Sequence, residues 1–181
     1  ANMHSTMMFF TEQGRLYWTK VYELPEGNRQ SKGRALQNMI NIQKGDKVCA
    51  FIHVKNLSDL EYVQNHYLIF ATKDGLMKKT TLESYSRPRA NGIIALGLRE
   101  GDRLIRVTLT DGNSQMLVAS YNGKVVRFPE DTVRPMGRTA TGVRAIKLDE
   151  DGQDRVIGMI CVEEGSKESV LVISEKGFGK R

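Results

Sequence analysis

The chain has 181 residues, 40% hydrophobic and 27% charged, proportions ordinary for a core-forming protein, and its length admits one large domain or a string of small repeats. A net charge of +6 and a pI near 9.4 favour an anionic partner, nucleic acid first, although such a charge also serves general solubility. No apolar run is long enough to span a membrane and no signal peptide opens the sequence, while Cys49 and Cys161 sit in apolar runs without metal-type neighbours and are expected to be reduced core residues of a cytosolic protein.

In chain order, the first element is an apolar run ending in Thr11-Glu12-Gln13-Gly14. The same pattern of strand, Thr or Ser, two further residues and Gly returns at Gly75, Gly123 and Gly177, at intervals of 61, 48 and 54 residues. Glycine in such a turn supplies the positive φ that a tight hairpin needs, so each pattern predicts a hairpin. Second strands follow at 16–21, 76–82 and 125–128, and each leads into a connector broken by Pro25, Pro88 or Pro135. Proline lacks the donor an inner strand requires, which makes these segments connectors. Gly33, Gly92 and Gly142 then precede predicted third strands at 35–42, 93–98 and 143–148, and turns at Gly45, Gly101 and Gly152 precede fourth strands. A capping-box pattern at Ser58-Asp59-Leu60-Glu61 predicts one helical turn between the first two units.

Four strands at a period near 50 residues define a propeller-like blade, which must stack on its neighbours to bury both faces. The expectation is an all-β array forming a single domain over 1–181, with repeats roughly at 3–54, 66–110, 114–162 and 168–181, about three blades and part of a fourth. Strand order within a blade, which separates a pinwheel from an ordinary propeller, is not fixed by this pattern. Both ends read as cuts through a longer polypeptide.

The charge is unevenly placed. Between hairpin turn and third strand, the first unit carries Arg15, Lys20, Arg29, Lys32 and Arg34 against Glu23 and Glu26, a net +3. The second carries Lys73, Lys78, Lys79, Arg87 and Arg89 against Asp74 and Glu83, again +3. The third carries Lys124, Arg127, Arg134, Arg138 and Arg144 against Glu130 and Asp131, again +3, so the remainder of the chain sums to −3. Equivalent positions of stacked blades project to one side, which predicts a basic band along the rim. A band of Lys and Arg without a base-reading helix suits a phosphate backbone. Gly33, Gly92 and Gly142 either bring main-chain N–H groups close to phosphates or only relieve the turn. The aromatic residues are not interleaved with the basic ones as a stacking platform would require, which favours duplex over single strands. Bending a short duplex around the band costs on the order of 1–6 kcal/mol, which phosphate contacts with a salt slope of roughly −0.9 each can offset.

The segments from Phe10 to Trp18, Lys20 to Glu26 and Ser31 to Ala35 resemble the C-terminal domain family of the DNA gyrase A protein. So do Lys78-Lys79-Thr80, Gly123 to Phe128, Val133 to Arg138 with Thr141 to Arg144, and Gly177-Phe178-Gly179-Lys180-Arg181. The resemblance implies a β-pinwheel, a ring of usually about six blades exchanging strands, that wraps duplex DNA on its basic perimeter and so supports ATP-dependent negative supercoiling. It adds Lys180 and Arg181 to the DNA-binding candidates. It also implies two protein partners, the rest of gyrase A and gyrase B, and a bacterial cytoplasm as the location. A Gln-Arg-Arg-Gly-Gly-Lys-Gly-type box and the later blades of that family are not in this sequence. The alternative within the family is the related C-terminal domain of the topoisomerase IV A protein, acting in DNA substrate discrimination. A propeller-type scaffold for an acidic protein is the alternative outside it.

No catalytic constellation is expected in this chain. His4, His53 and His66 are scattered, the six tyrosines have no activating neighbours, and the acidic run Asp149-Glu150-Asp151 with Asp154 reads as a solvated turn. In the resembled enzyme the DNA-cleaving tyrosine lies in a different region, and ATP and magnesium act elsewhere, so neither cofactor nor metal is expected here.

Overall fold

A computed structural model describes residues 2–150 and 152–181; Asp151 of the acidic turn lies outside them. The fold begins with the hairpin of β1 (Thr6–Thr11) and β2 (Arg15–Lys20), with β3 (Val48–Val54) antiparallel on the other side of β1. A single helical turn, α1 (Leu60–Gln64), follows, and the Asp59 carboxylate caps it by accepting from the Tyr62 amide at 3.1 Å. The second unit contributes β4 (Tyr67–Thr72), β5 (Leu76–Thr81), β6 (Ile93–Ile94) and β7 (Leu104–Thr110). The third contributes β8 (Ser114–Ser120), β9 (Val125–Pro129), β10 (Val143–Arg144) and β11 (Val156–Glu163). A short hairpin of β12 (Val172–Ile173) and β13 (Gly179–Lys180) completes the described strands.

The sheet orders are β3-β1-β2-β6, β10-β5-β4-β7, β11-β8-β9 and β12-β13. Thus β6, from the second unit, completes the first sheet, and β10, from the third, completes the second sheet. The second and third units each lend their third strand backwards, which is the pinwheel arrangement. The lent strands are short because only the neighbour's edge holds them: Leu16 pairs with Ile93 and Met77 with Val143. Ala95 and Ala145 then donate to the carbonyls of Gly14 and Gly75 at 2.8 and 2.9 Å. The strand expected at 35–42 does not form. Beside it no earlier edge is available among the described residues, and local bonding yields a 3-10 turn at Leu36–Asn38, with the Asn38 amide on the Ala35 carbonyl at 3.0 Å.

Stacking explains the strand sequences. In β4, Leu68 and Phe70 face a core shared with Met8, Phe10, Leu16 and Leu96, while Ile69 and Ala71 face one shared with Met77, Met116, Val118 and Met159. Strand side chains alternate faces, so a middle strand packed on both sides is apolar throughout. Phe10 and Phe70 meet edge to face, with ring centroids 5.6 Å apart. Burying each such side chain contributes about 1.5–3 kcal/mol.

A repeated carboxylate joins turn to turn. Asp46, Asp102 and Asp154 accept from the amides of Gln13, Asp74 and Asn122 at 3.2, 3.0 and 3.0 Å, and each also accepts from the residue that follows it. Each of the three amides belongs to the residue before a turn glycine, so one aspartate per unit pins the hairpin to the loop that starts the fourth strand.

Candidate nucleic-acid interface

Three adjoining clefts follow the connectors from unit to unit. The first, about 820 Å³, is lined by Arg34 with Thr19, Tyr22 and Glu23 among others. The next, about 210 Å³, shares Thr19 and Glu23 with it and brings Lys20 of the first unit beside Arg89 of the second. The last, about 330 Å³, shares Arg89 with the second cleft and adds Arg87, Arg138 of the third unit, Leu60 and Glu83. Arg34, Lys20, Arg89, Arg87 and Arg138 therefore form one continuous row drawn from three units. The row exists because the second and third connectors cross onto the preceding blade. The Met136 amide donates to the Lys79 carbonyl at 2.9 Å, and the Arg15 guanidinium reaches the Asn91 carbonyl at 3.1 Å.

The other expected residues divide into groups. Arg29, Lys32, Arg127, Arg134 and Arg144 are exposed or half-exposed, as are Lys180 and Arg181, the last donating to the Ser169 hydroxyl at 2.6 Å. Arg15 is half-buried and also bonds the Tyr17 hydroxyl at 3.1 Å, while the Lys20 ammonium donates to the Thr6 hydroxyl at 3.1 Å. Lys73 and Lys124 stand apart from the row, at the hairpin-turn ends beside the acidic loop. Lys73 lines a cleft with Asp74, Asp149 and Asp154, and Lys124 is ion-paired with Asp149. The hydrogen bonds from Lys124 and then Asn122 hold the Asp149 carboxyl below the usual carboxylate range.

Lys78 and Lys79 are corrected from the sequence expectation: they are 0% and 4% exposed, so neither presents its charge to a DNA backbone. Both lie in β5, which has a neighbour on each edge and packing on each face. Lys79 forms a buried ion pair with Glu130 at 2.9 Å, and its ammonium lies 4.2 Å from the Tyr67 ring centroid. Glu130 also accepts from the Thr110 hydroxyl at 2.7 Å and the Ser114 amide at 3.2 Å, so both carboxylate oxygens are engaged. The Lys78 ammonium donates to the Tyr85 hydroxyl and to the carbonyls of Ala95 and Arg138.

The connector glycines also separate. A Cβ at Gly92 would meet the Leu16 carbonyl oxygen at 2.7 Å, and one at Gly142 the Met77 carbonyl oxygen at 2.4 Å. Both glycines are needed where the lent strand lies down on its neighbour, and the Gly92 amide already donates to the Arg89 carbonyl at 2.9 Å. Gly33, with φ +70°, has nothing within 4 Å of such a Cβ and is the one of the three open to a ligand. Sequence reasoning missed Leu60, which is 67% exposed on the wall of the arginine cleft; the carboxylates Glu23 and Glu83, counted there against the basic residues, line the row itself. It also passed over Trp18 and Tyr22, which line the two clefts of the first unit. The pattern of the basic residues marked the row, but membership of uncharged side chains depends on long-range packing. Among the described residues, no group of three or more His, Cys, Asp or Glu could hold a metal ion, and no helix is long and apolar enough to cross a membrane.

The fold and the row define a class: an all-β array of strand-exchanging, propeller-type blades with a basic edge built from successive connectors. The profile of the family described as "DNA gyrase C-terminal domain, beta-propeller" matches residues 5–55, 66–111, 115–163 and 168–181, and the chain belongs to that family. The chain is 45% identical over its whole length to the DNA gyrase A protein of Salmonella typhimurium strain LT2, of which it spans 20%. It is 27% identical to a solved C-terminal domain of DNA topoisomerase IV, with a TM-score of 0.86 over 99% of this chain and 54% of that one. A solved DNA gyrase A C-terminal domain, 22% identical, shares the fold with a TM-score of 0.75, again over 99% of this chain and 54% of that one.

Proposed function

We propose that this chain binds duplex DNA and wraps it along the connector edge, as a non-catalytic part of a bacterial type II topoisomerase of the gyrase class. The observation that carries this reading is the continuous row of Arg34, Lys20, Arg89, Arg87 and Arg138 along three adjoining clefts. Phosphate contacts supply affinity without reading sequence, and a row passing from unit to unit suits a phosphate backbone. Wrapping would then present a second DNA segment to the strand-passage machinery of the whole enzyme, whose ATP-driven cycle would introduce negative supercoils. Its partners would be the remainder of gyrase A and the gyrase B protein, its compartment the cytoplasm, and its own chemistry would need neither cofactor nor metal. Identity to gyrase A supports that assignment, while the fold match to a topoisomerase IV domain supports the second reading, in which the same edge sorts DNA substrates.

Charge reversal of Arg34, Arg89 and Arg138 together tests the row. Binding of duplexes of increasing length, measured across a salt series, should weaken at least about tenfold, and the salt slope should become shallower by roughly 2.7. Folding, followed by circular dichroism, should persist. A single-stranded oligonucleotide provides the comparison, because Trp18 and Tyr22 offer rings at two clefts. Unchanged affinity in the triple variant, or no gain from a longer duplex, would overturn wrapping along this edge.

A further inference from the structure

Lys78 carries a charge that neither the basic edge nor the core accounts for. It is fully buried in β5, yet its ammonium meets three oxygens from three different segments. The Tyr85 hydroxyl, at 3.3 Å, comes from the 3-10 turn after β5. The Ala95 carbonyl, at 2.6 Å, follows the strand lent to the first unit, and the Arg138 carbonyl belongs to the third unit's connector. An ammonium has three donors and no acceptor, so this arrangement suits the charged form. The Phe70 ring, its centroid 4.8 Å from Nζ, adds a favourable π face. The side chain of the same Arg138 lines the cleft that Arg87 and Arg89 also line. Counting from the turn glycine, the first unit holds Tyr17 at the position of Lys78, so an uncharged side chain fills that space elsewhere in this molecule.

We propose, resting on the DNA-binding reading above, that Lys78 is a positioning residue for the arginine cleft: its buried ammonium fixes the main chain at Arg138 and Ala95 so that Arg87, Arg89 and Arg138 converge on one DNA phosphate, and that anion in turn favours its charge. The groups facing Lys78 are Tyr85 from the 3-10 turn, Arg138 from the connector and the uncharged Phe70 from β4. From β10, Arg144 lies across from Leu76 and is exposed, and Glu83 is the carboxylate on the cleft wall. Burial keeps the Tyr85 hydroxyl protonated well above its ordinary range. Burial, and after it the Arg138 charge, brings the Lys78 ammonium down to about 7. A phosphate in the cleft acts in the opposite sense, so DNA binding takes up a proton, and affinity falls as pH rises through this range.

The test is fluorescence anisotropy of a labelled duplex with the 181-residue chain at fixed ionic strength. Between about pH 6 and about pH 9, wild-type affinity should fall about threefold to tenfold, and the Lys78→Met profile should be flat. Lys78→Met should weaken binding in the Arg34→Gln background and add nothing further in the Arg138→Gln background. Equal effects in both backgrounds, or a flat wild-type profile, would overturn the inference. Should Lys78→Met fail to fold, the wild-type profile alone decides. If binding depends on the arginine row but not on Lys78 or pH, this inference fails and the DNA reading stands. If binding does not depend on the row, the DNA reading itself fails.

Discussion

At Lys78 the molecule keeps a positive charge where its first unit keeps an aromatic ring, and the folded state bears the cost of removing that charge from water. In the unfolded chain the ammonium titrates near its ordinary 10.5, but in the folded chain near 7. Between those values the unfolded chain binds more protons, so stability must rise with pH across that window; below it both states are protonated and the group adds no slope. Denaturant midpoints should climb from about pH 7 to about pH 10, and Lys78→Met should abolish that climb. Stability and DNA affinity would then run in opposite directions with pH, which separates a cleft-serving lysine from one that merely fills the core. The burial of Lys78 and Lys79 was legible in principle. Aligning the units on Gly14 and Gly75 sets them opposite Tyr17 and Trp18. A sum of charges ignores such alignment and counts a buried ammonium like an exposed one.

The hairpins are the elements the sequence specified best. Gly14, Gly75, Gly123 and Gly177 all adopt positive φ, between +75° and +85°, in the turns expected of them. The lent strands were legible as segments but not as partners. Ile93–Ile94 and Val143–Arg144 are too short to show a period, and nothing local records that their ladder lies in the preceding unit. The aspartates of the Gly-Asp and Gly-Gln-Asp turns were visible yet silent for the same reason, since each caps an amide about 30 residues away. Gly142 and Gly33 offer a test of strand lending. Gly142→Ala combines φ +99° with a collision against the Met77 carbonyl oxygen, whereas Gly33→Ala meets only the backbone preference at φ +70°. Thermal unfolding should show Gly33→Ala costing about 1 kcal/mol and Gly142→Ala clearly more, on the order of 2–4 kcal/mol, with β10 released from β5.

Across the whole molecule, stability should follow the stacking. The two larger cores lie between the first and second units and between the second and third, whereas β12 and β13 are exposed throughout. Hydrogen exchange should therefore be slowest in β1, β4 and β8, which are paired on both sides along nearly their whole length, and fastest from residue 170 onward. Uniform protection along the chain would contradict this order. All five members of the basic row were readable as candidates, from three equal charge excesses at equivalent positions, but which of the other basic residues would fall outside it was not. Connectors sort Arg34, Arg87, Arg89 and Arg138 onto one edge, while the hairpin ends carry Lys73 and Lys124 to the acidic loop.

Because β6 and β10 are borrowed from the following unit, neither of the first two sheets is finished when its own stretch of chain has been synthesised. On the ribosome the first blade must wait, one edge uncovered, until Ile93 and Ile94 emerge. A deletion or recombination that removed the second unit cleanly would also strip the first of its outermost strand. Such a chain can gain or lose blades only if each newcomer brings a strand its predecessor accepts, which ties neighbouring repeats to a shared history.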